Sequence, residues 1–217
     1  MTNQPLTSRF ARLGLAVVAA AGIAGTLAGC FPLAVGAAAG TALMVVDRRT
    51  SGAQLEDEGI ELRSVNRIRD AFGDRVHVNV TSYNRQVLLT GEAPSAQDKQ
   101  AVEQIVAKVE NVRAVVNELA VLGESTLSQR SADTLTTGKV KAALVDTKDL
   151  QANAFKVVTE RGTVYLMGRV TQREAGRATD VARSTSGVQK VVRVFEIISE
   201  EEYQRLQPTP APGEGKK

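Results

Sequence analysis

Tryptophan is absent from the 217-residue chain, aromatic residues of all kinds make up 4%, and cysteine and histidine each occur once. A structural zinc site takes about four Cys/His ligands and a catalytic one about three protein ligands, so Cys30 and His77 build neither. One sulfur forms no disulfide within the chain. A nucleophilic triad would have to use His77, which stands on the polar side of the alternating Val76, Val78 and Val80. No GxGxxG or Gly-Lys-Ser/Thr phosphate loop occurs either. These scarcities predict a protein that binds and does not catalyse, without metal or cofactor. The formal charge of +3 gives no sign of nucleic-acid binding, and 24% charged residues are too many for a multispanning membrane protein.

What is present begins at the N-terminus. Residues 1–12 carry Arg9 and Arg12 and no acid, and residues 13–28 are apolar apart from glycines and Thr26. A basic start followed by an apolar stretch reads as a secretory signal over residues 1–29. It runs into Leu27-Ala28-Gly29-Cys30, which resembles the lipobox of bacterial lipoproteins. The resemblance implies cleavage before Cys30 and three acyl chains on the new N-terminus, palmitate among them. At about 0.8 kcal/mol per buried methylene that is permanent attachment. The alternative is an uncleaved anchor helix with a buried apolar cysteine. Phe31 stands where this class of lipoproteins carries an aspartate for inner-membrane retention, so the expected place is the periplasmic face of the outer membrane. A second apolar run, residues 31–46, falls short of the roughly 20 residues that span a bilayer. It reads as a tether, followed by a polar linker from Asp47 to Gly52, the two together filling residues 30–55.

The remainder contains one unit twice. Val87-Leu88-Leu89-Thr90-Gly91-Glu92-Ala93 matches Val164-Tyr165-Leu166-Met167-Gly168-Arg169-Val170, and Asn111-Val112-Arg113-Ala114-Val115-Val116 matches Gly187-Val188-Gln189-Lys190-Val191-Val192. Gly91 to Val112 is 21 residues and Gly168 to Val188 is 20, which marks a duplication over 56–124 and 131–199. In the first copy Val65, Ile68 and Phe72 recur at helical spacing, two strands meet at an Asn84-Arg85 turn, Pro94-Ser95 starts an amphipathic helix, and Val112 to Val121 is a last strand. The second copy repeats this order around a Glu160-Arg161-Gly162 turn. The expected fold is α+β: two αββαβ two-layer sandwiches, each with a three-stranded mixed sheet covered by two helices on one face. Gly91 and Gly168 read as architectural glycines that end a strand where a side chain would block helix packing or strain the backbone.

A strand ending in glycine, a helix and then Gly/Asn-Val-x-x-Val, duplicated behind a lipobox, resembles the BON domain family, and dual-BON outer-membrane lipoproteins in particular. The most specific block is Val158-Thr159-Glu160-Arg161-Gly162-Thr163-Val164-Tyr165-Leu166-Met167-Gly168-Arg169-Val170-Thr171-Gln172-Arg173-Glu174-Ala175, extended by Ser186-Gly187-Val188-Gln189-Lys190-Val191. The resemblance implies binding of anionic phospholipid, phosphatidylglycerol above all, through the first helix of the second domain. It also implies a part in outer-membrane integrity, envelope stress and cell division. The corresponding segment here is Asp133 to Leu144, with Leu135 where the related lipoproteins carry tryptophan and Gly138 in place of a better helix former.

Charge and periodicity bear on the same helix. Residues 56–124 hold 8 basic and 12 acidic residues, a net charge of −4, and residues 131–199 hold 11 and 7, a net charge of +4. Only the second domain is expected to be drawn to an anionic bilayer. At 100° per residue Thr136, Thr137, Val140, Ala143 and Leu144 share the core face. Leu135, Gly138, Ala142 and Val145 then point outward, flanked by Lys139 and Lys141, whose stems can snorkel to lipid phosphates. These six are the candidate lipid-binding residues, with packing of Leu135 and Val145 against the sister domain as the other reading. The rival function is a periplasmic adaptor that assists outer-membrane protein assembly or serves the division site through the acidic first domain. There, Asp57, Glu58 and Glu61 read as a solvated acidic face. The tail over 200–217, rich in Glu, Pro and Gly, is expected to be disordered.

Overall fold

The computed structural model describes residues 47–206. The signal segment, Cys30, the second apolar run and the last residues of the tail lie outside them. The first copy runs α1 (Ser51–Phe72), β1 (His77–Tyr83), β2 (Gln86–Ala93), α2 (Ala96–Ala107), β3 (Ala114–Asn117) and β4 (Ala120–Val121). The second runs α3 (Leu127–Asp146), β5 (Lys156–Glu160), β6 (Thr163–Val170), α4 (Gln172–Ser184) and β7 (Lys190–Ile197), and α5 (Glu200–Leu206) follows. In each sheet the second strand is central, antiparallel to the first and parallel to the last. Both copies are therefore αββαβ with a mixed sheet. The single last strand expected for the first copy is broken at Glu118 and Leu119: Asn117 turns its side chain to accept from Leu119 N, and Glu118 N donates to Leu89 O, so β3 and β4 both run beside β2.

Helix starts follow from side-chain caps. Ser95 accepts from Asp98 N at the start of α2 as its position after Pro94 suggested. Thr126 and Gln129 form a reciprocal capping box on α3, and Thr171 and Glu174 form one on α4. The box on α3 moves that helix's start back to Leu127, six residues before the segment expected from sequence. In α1 the cap is Thr50, so part of the expected linker is helix.

Strand periodicity places two cores. Val87 and Leu89 turn to α1 and α2, where Ile60, Ile68, Phe72, Val102 and Val106 meet them. Val164 and Leu166 turn to α3 and α4, against Val140, Leu144, Ala175, Ala178 and Ala182. The residues between them in sequence, Leu88 in β2 and Tyr165 and Met167 in β6, face the other way and pack with Tyr83 and Val194 into a third cluster shared by the two domains. The sheets therefore stand back to back between two helical layers. Pairing of two sheets by their free faces buries what would otherwise be an exposed apolar surface.

Both strand glycines lie inside strands and not at their ends; the expected backbone angle is found at Gly91, and what a side chain would strike at either is a backbone carbonyl, at Gly168 that of the 3-10 turn Ala152–Ala154. A Cβ at Gly91, whose φ is 108°, would sit 2.2 Å from His77 O, and one at Gly168 would sit 2.3 Å from Ala154 O. The tail also differs: residues 200–206 are helical, with Glu202 bonded to Arg169 and Tyr203 beneath the Arg48 guanidinium.

Candidate functional site

The outward face of α3 is positioned by an acid that sequence reading overlooked. Asp133 is buried in the second turn of the mature helix core, where its carboxylate accepts from Arg161 N at 2.7 Å and Gly162 N at 2.8 Å. Those amides belong to the β5–β6 hairpin, whose Arg161 and Gly162 have φ of 49° and 71°. The carboxylate thus satisfies the donors that a tight left-handed turn exposes and fixes the rotation of α3 on its sheet. Thr136, Val140 and Leu144 are buried behind it, and Thr137 donates to Thr159 Oγ1 at 2.7 Å.

With that rotation fixed, all six predicted lipid-facing residues are solvent-exposed: Leu135, Gly138, Lys139, Lys141, Ala142 and Val145. Leu135 is 67% and Val145 68% exposed, so neither packs against the sister domain. Leu127, 80% exposed, extends the apolar line to the helix start. Lys139 leans across to Ser186 Oγ at 3.2 Å. Asp133 being buried, Asp146 at the far end is the one exposed acid of this helix.

The first domain repeats the anchor and not the face. Asp57 of α1, read from sequence as part of a solvated acidic patch, is buried. It accepts from Ser82 Oγ at 2.7 Å, Asn84 N at 2.7 Å and Arg85 N at 2.8 Å, with the Arg49 guanidinium 2.8 Å away. Burial pushes the Asp57 carboxyl up, but these donors outweigh it and hold it below the ordinary carboxylate range. Glu61 pairs with Lys156 at 2.9 Å, which leaves Glu58 as the exposed member of the three. Leu55 and Leu62 of α1 are as exposed as Leu135. They stand among Glu56, Glu58 and Glu61, so an apolar face alone does not distinguish the helices.

Charge between the copies is partly spent at their junction. Glu92 of β2 is 2% exposed and holds Arg161 Nε at 2.7 Å and His77 Nδ1 at 2.8 Å. Burial acts to raise its carboxyl, and the hydrogen bonds to His77 and Arg161 bring it below the usual range. Glu160 is pushed up by burial, with Asn79 Nδ2 donating at 3.0 Å. His77 and Glu160 also line a cleft of about 460 Å³ with Asp133 and Thr137. The single histidine is thus the cross-strand partner of a buried carboxylate inside the first domain, and it is Arg161 that reaches that carboxylate from the second. Among the described residues no group of three or more His, Cys, Asp or Glu side chains could hold a metal ion, and no helix is long and apolar enough to cross a membrane.

Comparison with known proteins gives a consistent set. The BON domain profile matches residues 57–123 and 132–199. Outer membrane lipoprotein DolP of Haemophilus influenzae is 37% identical over 200 residues, covering 91% of this chain and 100% of that protein. The 21 kDa hemolysin of Actinobacillus pleuropneumoniae is 34% identical over 155 residues, 70% of this chain and 80% of that one. Osmotically-inducible protein Y of Escherichia coli is 29% identical over 117 residues, 52% of this chain and 58% of its own length.

Proposed function

The chain belongs to the BON domain family as a dual-BON outer-membrane lipoprotein, and from that premise we propose that it works by holding the outward face of α3 against anionic phospholipid, phosphatidylglycerol in particular. Cys30 carries the acyl anchor at the periplasmic face of the outer membrane, and the protein supports envelope integrity, stress response and division from there. The observation that carries this reading is the apolar stripe Leu127, Leu135, Ala142 and Val145, exposed along a helix whose flanks present Lys139 and Lys141 and whose one internal acid is turned inward. An interfacial helix needs that combination: apolar area to enter the acyl boundary and cations at its edge for the phosphates. Tethering makes a weak intrinsic affinity sufficient, because the anchor raises the local lipid concentration.

The test is NMR shift mapping of a soluble form beginning at Asp47 against micelles and vesicles of graded phosphatidylglycerol content. Shifts confined to α3, rising with anionic lipid and falling with salt, are expected. Equal binding to neutral vesicles, or no shifts in α3, overturns the reading. A second reading, a protein adaptor, is favoured by the exposed Leu55 and Leu62 within the acidic face of α1. It predicts that charge reversals at Glu56 and Glu58 impair function while lipid binding survives.

A further inference from the structure

The segment just before α1 belongs, by sequence, to the first domain. Its side chains are instead built into the second. Arg48 is fully buried: its guanidinium pairs with both oxygens of Glu174 at 2.7 and 2.9 Å and donates to Arg169 O at 2.8 Å and to Gln151 Oε1 at 3.2 Å. Tyr203 of α5 covers it, with the guanidinium carbon 4.8 Å from the ring centre. Arg169 returns a bond to Arg48 O at 3.2 Å. The next residue turns the other way: Arg49 clasps Asp47, reaches Asp57 of α1 and lies 4.3 Å over the Tyr83 ring. Residues 47–50 therefore stitch the two domains together at the point where the chain arrives from Cys30.

The pair is not needed for helix capping. Glu174 caps α4 through Thr171 N at 3.0 Å, but the equivalent acid of the first domain, Asp98, caps α2 with Ser95 while meeting only a half-exposed contact with Arg75 at 3.7 Å. A buried ion pair is also a poor source of net stability, since desolvation offsets most of its attraction; its characteristic use is to fix one arrangement among several. The arrangement fixed here is where the tether leaves. Asp47 lines a cavity of about 330 Å³ together with Lys141 and Val145 of α3 and Phe155, so the chain departs beside the C-terminal half of the exposed stripe.

We propose that residues 47–50 form a positioning strap: Arg48, locked into Glu174, ties the anchor's exit to the second domain and so delivers the α3 face, and not the α1 face, to the bilayer that holds Cys30. This rests on the lipid reading above. From Cys30 to Asp47 the chain reaches at most about 60 Å at full stretch. An exit on the far side of the folded unit would spend that reach in going around it, which lowers the effective concentration of α3 at the surface.

The experiment uses the full lipidated chain in phosphatidylglycerol-containing vesicles, with Cys30 blocked by its acyl chain. An environment-sensitive fluorophore on Val145→Cys reads lipid contact, and electron-spin distances between Val46→Cys and Val145→Cys read the exit. Strap release is made by Arg48→Met with Glu174→Gln, which removes both charges and leaves a glutamine able to cap; Arg48→Lys serves as the conservative variant. With the strap intact a narrow distance distribution and a lipid-shifted emission are expected. Release broadens the distances and lowers the lipid-associated signal at least about three-fold, with Arg48→Lys in between. Lipid contact unchanged on release overturns the strap. A probe that never enters lipid defeats the lipid reading instead, and the strap then stands or falls on whether the distances are narrow before release and broad after it.

Discussion

α1 and α3 are the same helix twice, and their buried halves agree where their exposed halves do not. Each carries one buried aspartate, Asp57 or Asp133, that accepts from the backbone of its own hairpin, and for Arg85 and Arg161 the sequence separation is 28 residues in both copies. Each exposes leucines. The difference lies in the charge beside them: the exposed Glu58 stands between Leu55 and Leu62, and lysines flank Leu135 and Val145. Duplication preserved the part that folds the module and released the surface to diverge, so function is read from what the outward stripe sits among, not from its hydrophobicity.

The largest effect that sharpens this comparison comes from the shared anchor. Asp57→Ala leaves three donors unanswered and takes one of the two carboxylates from Arg49, and is expected to cost about 4 kcal/mol; Asp133→Ala leaves two amides and is expected to cost about 2–3 kcal/mol, both read from urea unfolding. Equal costs, or the reverse order, would break the link between the number of donors each aspartate answers and what it contributes. Acid should act in the same direction. Asp57, Glu92 and Glu174 are all held below the ordinary carboxylate range, so the stability they provide is complete above about pH 4.5 and is lost as pH falls through their lower folded values. Thermal melts between pH 6 and pH 3 check this.

At the surface, Leu135→Glu is expected to weaken binding to phosphatidylglycerol vesicles at least about ten-fold, near 1.4 kcal/mol, and Leu62→Glu to leave it unchanged. Co-sedimentation measures both, and equal loss would end the distinction between the helices. Glu160 supplies a smaller effect of opposite sign to the other acids. Burial pushes it up, so it is ionised at neutral pH against its environment, and Glu160→Gln should stabilise by at most about 1 kcal/mol at pH 7, the gain vanishing as the pH falls through its raised value. The smallest contrast is between helix glycines. A Cβ at Gly138 meets nothing within 4 Å, and one at Gly59 meets the Arg63 guanidinium at 2.9 Å. Gly138→Ala should therefore gain about 0.5–1 kcal/mol in thermal stability and Gly59→Ala less.

The module order, the Ser95 cap, both hairpins and the exposure of all six α3 residues were legible because each follows from local period or turn chemistry. The back-to-back sheets were half legible: Val87-Leu88-Leu89 and Val164-Tyr165-Leu166-Met167 are apolar on both faces, the mark of a strand buried on both sides, yet nothing local says that the second cover is the sister sheet. Asp57 and Asp133 looked like surface charge because their partners are backbone amides, which have no sequence letter. Arg48 was the least legible of all. Its partner lies 126 residues away in sequence, and a polar stretch after an apolar run reads as linker by every local measure.

Among the described residues the free faces of the two sheets meet each other, so the broad surfaces turned outward are the two helical layers. Four stacked layers, two of helices about 10 Å across and two of sheet spaced about 10 Å apart, make the unit roughly 40 Å from one outer edge to the other. With α3 on lipid, the α1 layer looks away from the membrane, held at a set height like the far plate of a spacer. A partner would meet it there without competing for the bilayer.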